Sequence, residues 1–201
     1  MNDSREHILL TSLTLFLQKG FKEVTMKEIV DKTGMSKGAF YHYFSSKEQV
    51  FAEVINHFFL NMMIIDYGLF SQASLKQFYT DILEKLEKSR LASAKLLASH
   101  SNNNISNNYY YLIFDAMRLL PDFKAQHTRQ QKEELAAWKR VVLAARKSGE
   151  IQTSMTDEQV AKLFIFLSDG ANLNLIINDE MNRKKQELKA LWDGLYQAIQ
   201  T

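Results

Sequence analysis

The sequence predicts an all-α protein. An N-terminal three-helix helix-turn-helix DNA-binding domain is joined by a long helix to a larger C-terminal helical domain, about nine helices in all. Three observations carry this. One Pro and seven Gly in 201 residues leave few helix breakers. Apolar residues recur at spacings of three and four through most of the chain. Residues 25–47, TMKEIVDKTGMSKGAFYHYFSSK, read as two short helices around a glycine turn, a layout whose second helix enters a DNA major groove.

Composition sets limits on function. With 46% hydrophobic and 24% charged residues the chain is ordinary globular material. Zero Cys excludes disulfides and thiolate metal sites and fits a reducing cytosol. No apolar run follows a basic start, and the longest apolar stretches fall short of a bilayer span. A cytoplasmic protein without a membrane partner is expected. Net charge is +2, and residues 1–57 hold seven Lys/Arg against seven Asp/Glu. Any grip on DNA must therefore come from a few placed groups, not from a broad basic field.

Residues 3–19 form the first helix, with Leu9, Leu13, Phe16 and Leu17 at helical spacing and Lys19-Gly20 as its stop. Thr25 and Glu28 have capping-box spacing for the second helix, which Ile29 and Val30 make amphipathic. Gly34 supplies the turn. Ser36 caps a third helix over 36–43. Ala39, Phe40 and Phe44 fall on its inner side, leaving Lys37, Gly38, Tyr41 and His42 outside. Gly38 costs this helix about 1 kcal/mol relative to Ala, which close approach to DNA would explain. Tyr41, His42 and Tyr43 can each donate to a phosphate. Lys47 adds a cation beside helix N–H groups that favour an anion.

The segment VTMKEIVDKTGMSKGAFYHYFSSKEQVF closely resembles the DNA-binding domain of TetR-family transcriptional regulators. The likeness lies in the Thr opening the second helix, the turn glycine, Ser-Lys-Gly at the third helix, the aromatic block before Phe44, and Ser-Lys-Glu opening the fourth. It covers roughly residues 5–60. It implies an all-α homodimer that binds a palindromic double-stranded DNA operator, usually represses, and releases it on binding a small molecule. Carried across, Thr25, Tyr41, His42, Tyr43 and Lys47 match phosphate-contacting positions, and Lys37 and Gly38 match positions that often face bases. The family block commonly ends Tyr-His-Phe or His-His-Phe. Here it is His42-Tyr43-Phe44, and Tyr43 cannot become cationic.

A connecting helix over 46–66 carries Val50, Phe51, Val54, Ile55, Phe58, Phe59 and Met62. Its near half is expected to pack on the DNA-binding helices and its far half in a second core, as a lever between them. Residues 72–98 are helical, striped by Leu75, Phe78, Tyr79, Ile82, Leu83 and Leu86. SHSNNNISNN, 99–108, is a polar loop. Helices follow over 109–120 and, opened by Pro121, to about 147. Residues 156–178 are apolar almost all round, which requires burial on two sides. Residues 182–200 repeat Leu188, Leu191, Trp192, Leu195 and Ile199 at helical spacing.

These features divide the chain into a helix-turn-helix domain, 1–47, and a ligand-binding and dimerisation domain, 48–201. The resemblance places a dimer interface on the last two helices, here Phe164, Leu167, Gly170, Leu188, Leu191, Trp192 and Leu195; a fully buried pair within one chain would give the same pattern. Met62, Phe78, Tyr110, Phe114, Met117 and Trp138 are candidates to line a pocket for an apolar or aromatic effector, although such residues also build ordinary cores. The five His show no metal-ligand spacing, and no Glu-x-x-His pair, Walker A, G-x-S-x-G or H-E-x-x-H occurs. No cofactor and no enzymatic activity are expected. The competing reading is a helical protein-interaction module without specific DNA binding.

Overall fold

The computed structural model describes residues 3–60, 65–98, 109–178 and 180–201. Nine α-helices occur among these residues: α1 (Asp3–Glu23), α2 (Met26–Thr33), α3 (Lys37–Tyr41), α4 (Lys47–Val54), α5 (Leu75–Ala98), α6 (Tyr109–Leu119), α7 (Pro121–Ser148), α8 (Asp157–Ile177) and α9 (Lys184–Ile199). The described residues form no strand beyond one antiparallel bridge, Ile151 with Gln200. The chain resolves into two compact units: residues 1–64 with 94–127, and residues 65–93 with 128–201.

The first unit is built around α1. Ile8, Leu9, Leu10, Leu13, Leu15, Phe16 and Leu17 are all buried, so α1 is apolar over most of its circumference. It packs against α2, α4 and α6. The helix breaks at Gly20, whose φ of 78° is open to glycine and strained for other residues. Phe21 then turns inward, 4.6 Å from the Phe51 ring. Beyond α4 the chain continues as a π-helical turn, Ile55–Leu60. Ile55 and Phe58 join the first core together with Val50, Phe51 and Val54. The far half of the connecting helix was expected in a second core. Of its described residues Phe58 packs in the first core, Ile65 packs against the second as expected, and 61–64 lie outside the described residues, as does the Asn-rich loop.

In the second unit, aromatic rings make the core. Trp138 stacks on Phe164 at 4.9 Å and meets Phe78 and Trp192 edge-on at 5.0 and 5.4 Å. Thr156 caps α8 with both halves of a capping box. Glu150 closes the start of α5, accepting from the backbone N–H groups of Leu75 (2.9 Å) and Lys76 (3.1 Å). By length and composition α8 is apolar enough to cross a membrane. It places Val160, Ala161, Phe164 and Ala171 in the core of this unit.

Candidate nucleic-acid interface

The helix-turn-helix is set by four caps, three at helix starts and one at a helix end. The Thr25 hydroxyl accepts from Glu28 N–H at 3.2 Å. Glu28 does not complete a capping box; its carboxylate pairs with Lys19 at 2.6 Å. Gly34 closes α2 at φ 67°, donating its N–H to the Asp31 carbonyl. Ser36 Oγ accepts from Ala39 N–H at 3.3 Å and starts α3. Ser46 Oγ accepts from Gln49 N–H at 3.1 Å and starts α4.

α3 is shorter than expected. It ends at Tyr41, and Tyr43 and Phe44 both hydrogen-bond back to the Phe40 carbonyl in the turn that follows. Phe40 and Phe44 are fully buried. Ala39 was expected beside them but is exposed, because five helical residues leave a single inward position. Ser36, Lys37, Gly38, Tyr41 and His42 are exposed and Tyr43 is half-buried. A Cβ built on Gly38 would meet nothing within 4 Å. α3 thus presents Lys37, Gly38, Ala39 and Tyr41 as an open edge on an aromatic base.

The charges are more committed than a count suggests. Arg5 pairs with Glu53 at 2.7 Å and lies over the Phe44 ring. Lys19 is held by Glu28. Lys47 donates to the carbonyls of Phe21, Val24 and Lys22. Lys22, Lys27, Lys32 and Lys37 are exposed and have no ion pair among the described residues. Four of the seven cations in residues 1–57 therefore face solvent unpaired.

The other candidate residues scatter. Phe78 and Trp138 are buried in the second unit. Phe114 is 64% exposed, and Met117 packs on the core of the first unit. Met62 and the side chain of Tyr110 lie outside the described residues. Near Trp138 the interior is polar. Burial pushes the Glu134 carboxyl above its usual range, opposed by a hydrogen bond from Tyr67. Burial, and then Glu134, raise the Tyr67 hydroxyl in turn. The indole N–H of Trp138 lies beside Glu134 but has no well-aligned acceptor.

Phe164, Leu188 and Trp192, expected at a dimer interface, are buried in the core of their own unit. Periodicity marks a helix as apolar without saying what covers it. Leu167, Leu191 and Leu195 are partly buried against that core, and Gly170 is exposed. The exposed apolar residues of α8 are Leu163, Phe166, Leu173 and Ile177. With Gly170 they follow a three-four spacing along one stripe, a signal the sequence contained. Beside them runs a groove of about 440 Å³ lined by Phe166, Gly170, Asn174, Arg183, Glu187 and Leu191, among others. No group of three His, Cys, Asp or Glu among the described residues is placed to hold a metal ion.

Residues 8–54 match the family model for bacterial regulatory proteins of the tetR family. The chain is 31% identical to the HTH-type transcriptional repressor KstR2 of Mycolicibacterium smegmatis over 137 residues, 67% of this chain and 60% of that protein. The matched stretches span 20% to 60% of the length of the first curated relatives. Among solved structures, NalD, the secondary repressor of the MexAB-OprM multidrug efflux pump in Pseudomonas aeruginosa, superposes with a TM-score of 0.62 at 16% identity, over 98% of this chain and 96% of that one. SmeT of Stenotrophomonas maltophilia, in complex with triclosan, gives 0.61 at 18% identity, over 98% and 92%. These superpositions show a shared fold.

Proposed function

The chain is a member of the TetR family of transcriptional regulators, and from that premise we propose that it is a ligand-released repressor. As a homodimer it binds a palindromic operator in double-stranded DNA through α3. It leaves the operator when an apolar or aromatic small molecule binds the ligand-binding and dimerisation domain, residues 48–201. The observation that carries the reading is the division of α3: Phe40 fully buried, with Lys37, Gly38 and Tyr41 exposed and open space above Gly38. Lys37 and Gly38 are assigned to base edges, and Thr25, Tyr41, His42 and Tyr43 to phosphates. Ser36 holds the start of the helix. Repression is supported by the likeness to KstR2, itself a repressor.

Two further parts belong to this reading. The α8 stripe from Leu163 to Ile177, with Leu167, Leu191 and Leu195 beside it, forms the dimer contact; an exposed apolar stripe of this kind marks an association surface. The effector contacts Phe78 and Trp138. The buried Trp138 indole N–H has only the poorly aligned Glu134 carboxylate as acceptor, and a ligand carbonyl or hydroxyl would satisfy it better. SmeT, of the same fold, was solved with the aromatic molecule triclosan.

The test is selection of binding sites from a randomised duplex library, followed by titration of the selected duplex. A palindromic site bound by a dimer is the expected result. Lys37→Ala then weakens the selected duplex more than a random one, while Tyr41→Phe weakens both alike, since phosphates carry no sequence. A folded dimer that binds no duplex at low salt would leave the protein-interaction reading in its place.

A further inference from the structure

Lys47 opens α4, where a cation is electrostatically out of place, since the helix N-terminus carries partial positive charge. The structure shows what offsets this. Its Nζ donates to the carbonyl oxygens of Phe21 (2.8 Å), Val24 (2.7 Å) and Lys22 (3.5 Å). It also lies 4.3 Å from the centroid of the Phe21 ring. A lysine ammonium has three donors, and here three carbonyls receive them. The carbonyls come from the segment that leaves the α1 kink and enters α2, 23 to 26 residues back in the chain. That segment runs through Gly20, which breaks the helix, so its carbonyls lack regular helical partners and point at the cation.

We propose that Lys47 is a positioning residue that touches no phosphate. It ties the α1–α2 corner to the start of α4. Those are the two ends of the stretch 25–46 that contains α2, the turn and α3. The tie therefore fixes how α3 is presented. This rests on the DNA-binding reading above and narrows it: the charge at 47 acts inside the protein, and the outward cation of the recognition edge is Lys37.

Salt dependence separates the two roles. Each phosphate contact contributes about 0.9 to the slope of log K against log salt for duplex DNA. Lys47→Met keeps the stem over Phe21 and removes the donors. On the selected duplex it should weaken binding roughly tenfold with the slope unchanged, and lower the melting temperature. Lys37→Ala serves as the reference for a cation that contributes through the DNA. Lys47→Arg keeps the charge but spreads it over a planar fork that does not match three converging carbonyls. It should bind as weakly as Lys47→Met, again with the parent slope. A slope reduced by about 0.9 in Lys47→Met, or parental affinity in Lys47→Arg, overturns the proposal. If Lys47→Met does not fold, Lys47→Arg decides alone. A parent protein that binds no duplex at low salt defeats the DNA-binding reading; the tie to the α1–α2 corner is then judged by the melting temperatures of the two variants, and parental values in both defeat it too.

Discussion

The indole N–H of Trp192 in α9 donates to the main-chain oxygen of Phe164 in α8 at 2.8 Å, inside the core of the second unit. The two rings also meet at 6.2 Å. One side chain thus joins the last two long helices by a hydrogen bond and by packing. Trp192→Phe removes the donor and part of the ring. The expected loss is about 2 kcal/mol, from the missing bond and the space left behind. Urea unfolding checks it. The loss should be independent of protein concentration, because Trp192 is buried within one protomer; a concentration-dependent loss would place it at an interface.

That pair also shows what the sequence could and could not reveal. The caps of the helix-turn-helix were readable, because Thr25 and Ser36 act on N–H groups three residues away, within one local segment. The buried side of α5 was readable from spacing, with Leu75, Phe78, Tyr79, Ile82 and Leu83 all buried. Whether Phe164 and Trp192 face their own chain or a second copy was not, since both options demand the same apolar stripe. The direction of Lys47 was hidden for a related reason. Its partners, Phe21 to Val24, are brought to it only by the kink at Gly20 and the return of the chain through α2 and α3. Ala39 was misplaced because α3 ends after five residues.

Glu134 gives the second unit a pH dependence of definite sign. Burial raises its carboxyl in the folded state, and Asp169 adds to the effect. The folded protein therefore holds this proton more tightly than the unfolded chain does. Stability from this group is greatest below the ordinary glutamate range and declines as pH rises from there through the folded-state value. Glu134→Gln retains an acceptor for the Tyr67 hydroxyl and removes the ionisation. It should melt higher than the parent at neutral pH, and the gain should vanish on acidification.

Glu150 caps a helix 75 residues away in sequence. Its two oxygens take the N–H groups of Leu75 and Lys76, and one also accepts from the Tyr196 hydroxyl at 3.2 Å. Glu150→Ala strands both backbone donors and the favourable charge at the start of α5. A loss of about 1–2 kcal/mol is expected. Glu150→Gln, which keeps an acceptor, should lose less. Thermal unfolding of the two variants side by side measures the difference.

Gly38 separates folding from recognition. A Cβ there meets no protein atom within 4 Å, and alanine favours helix by up to about 1 kcal/mol. Gly38→Ala should therefore leave the melting temperature unchanged or raise it. If α3 approaches base edges closely, the same methyl group costs affinity for the selected duplex, while binding to a random duplex, held by phosphates, changes less. Melting and duplex titration on one preparation check both halves. A variant as stable as the parent and equal to it in binding would show that Gly38 stands clear of DNA.

Phe166 and Ile177 are 62% and 67% exposed on the α8 stripe. In a monomer a lysine at either place is accommodated by solvent. In the proposed dimer it removes an apolar contact and buries a charge without a partner. Phe166→Lys should therefore leave the unfolding of the protomer almost unchanged and raise the dimer dissociation constant by about a hundredfold, equivalent to about 3 kcal/mol. Sedimentation across a concentration series measures this directly. Operator binding should fall with it, since few unpaired cations remain on each helix-turn-helix and a single copy grips DNA weakly. The loss should be recovered at protein concentrations that restore the dimer. An operator affinity that stays low in the restored dimer would mean that α8 influences α3 by some route other than pairing two copies.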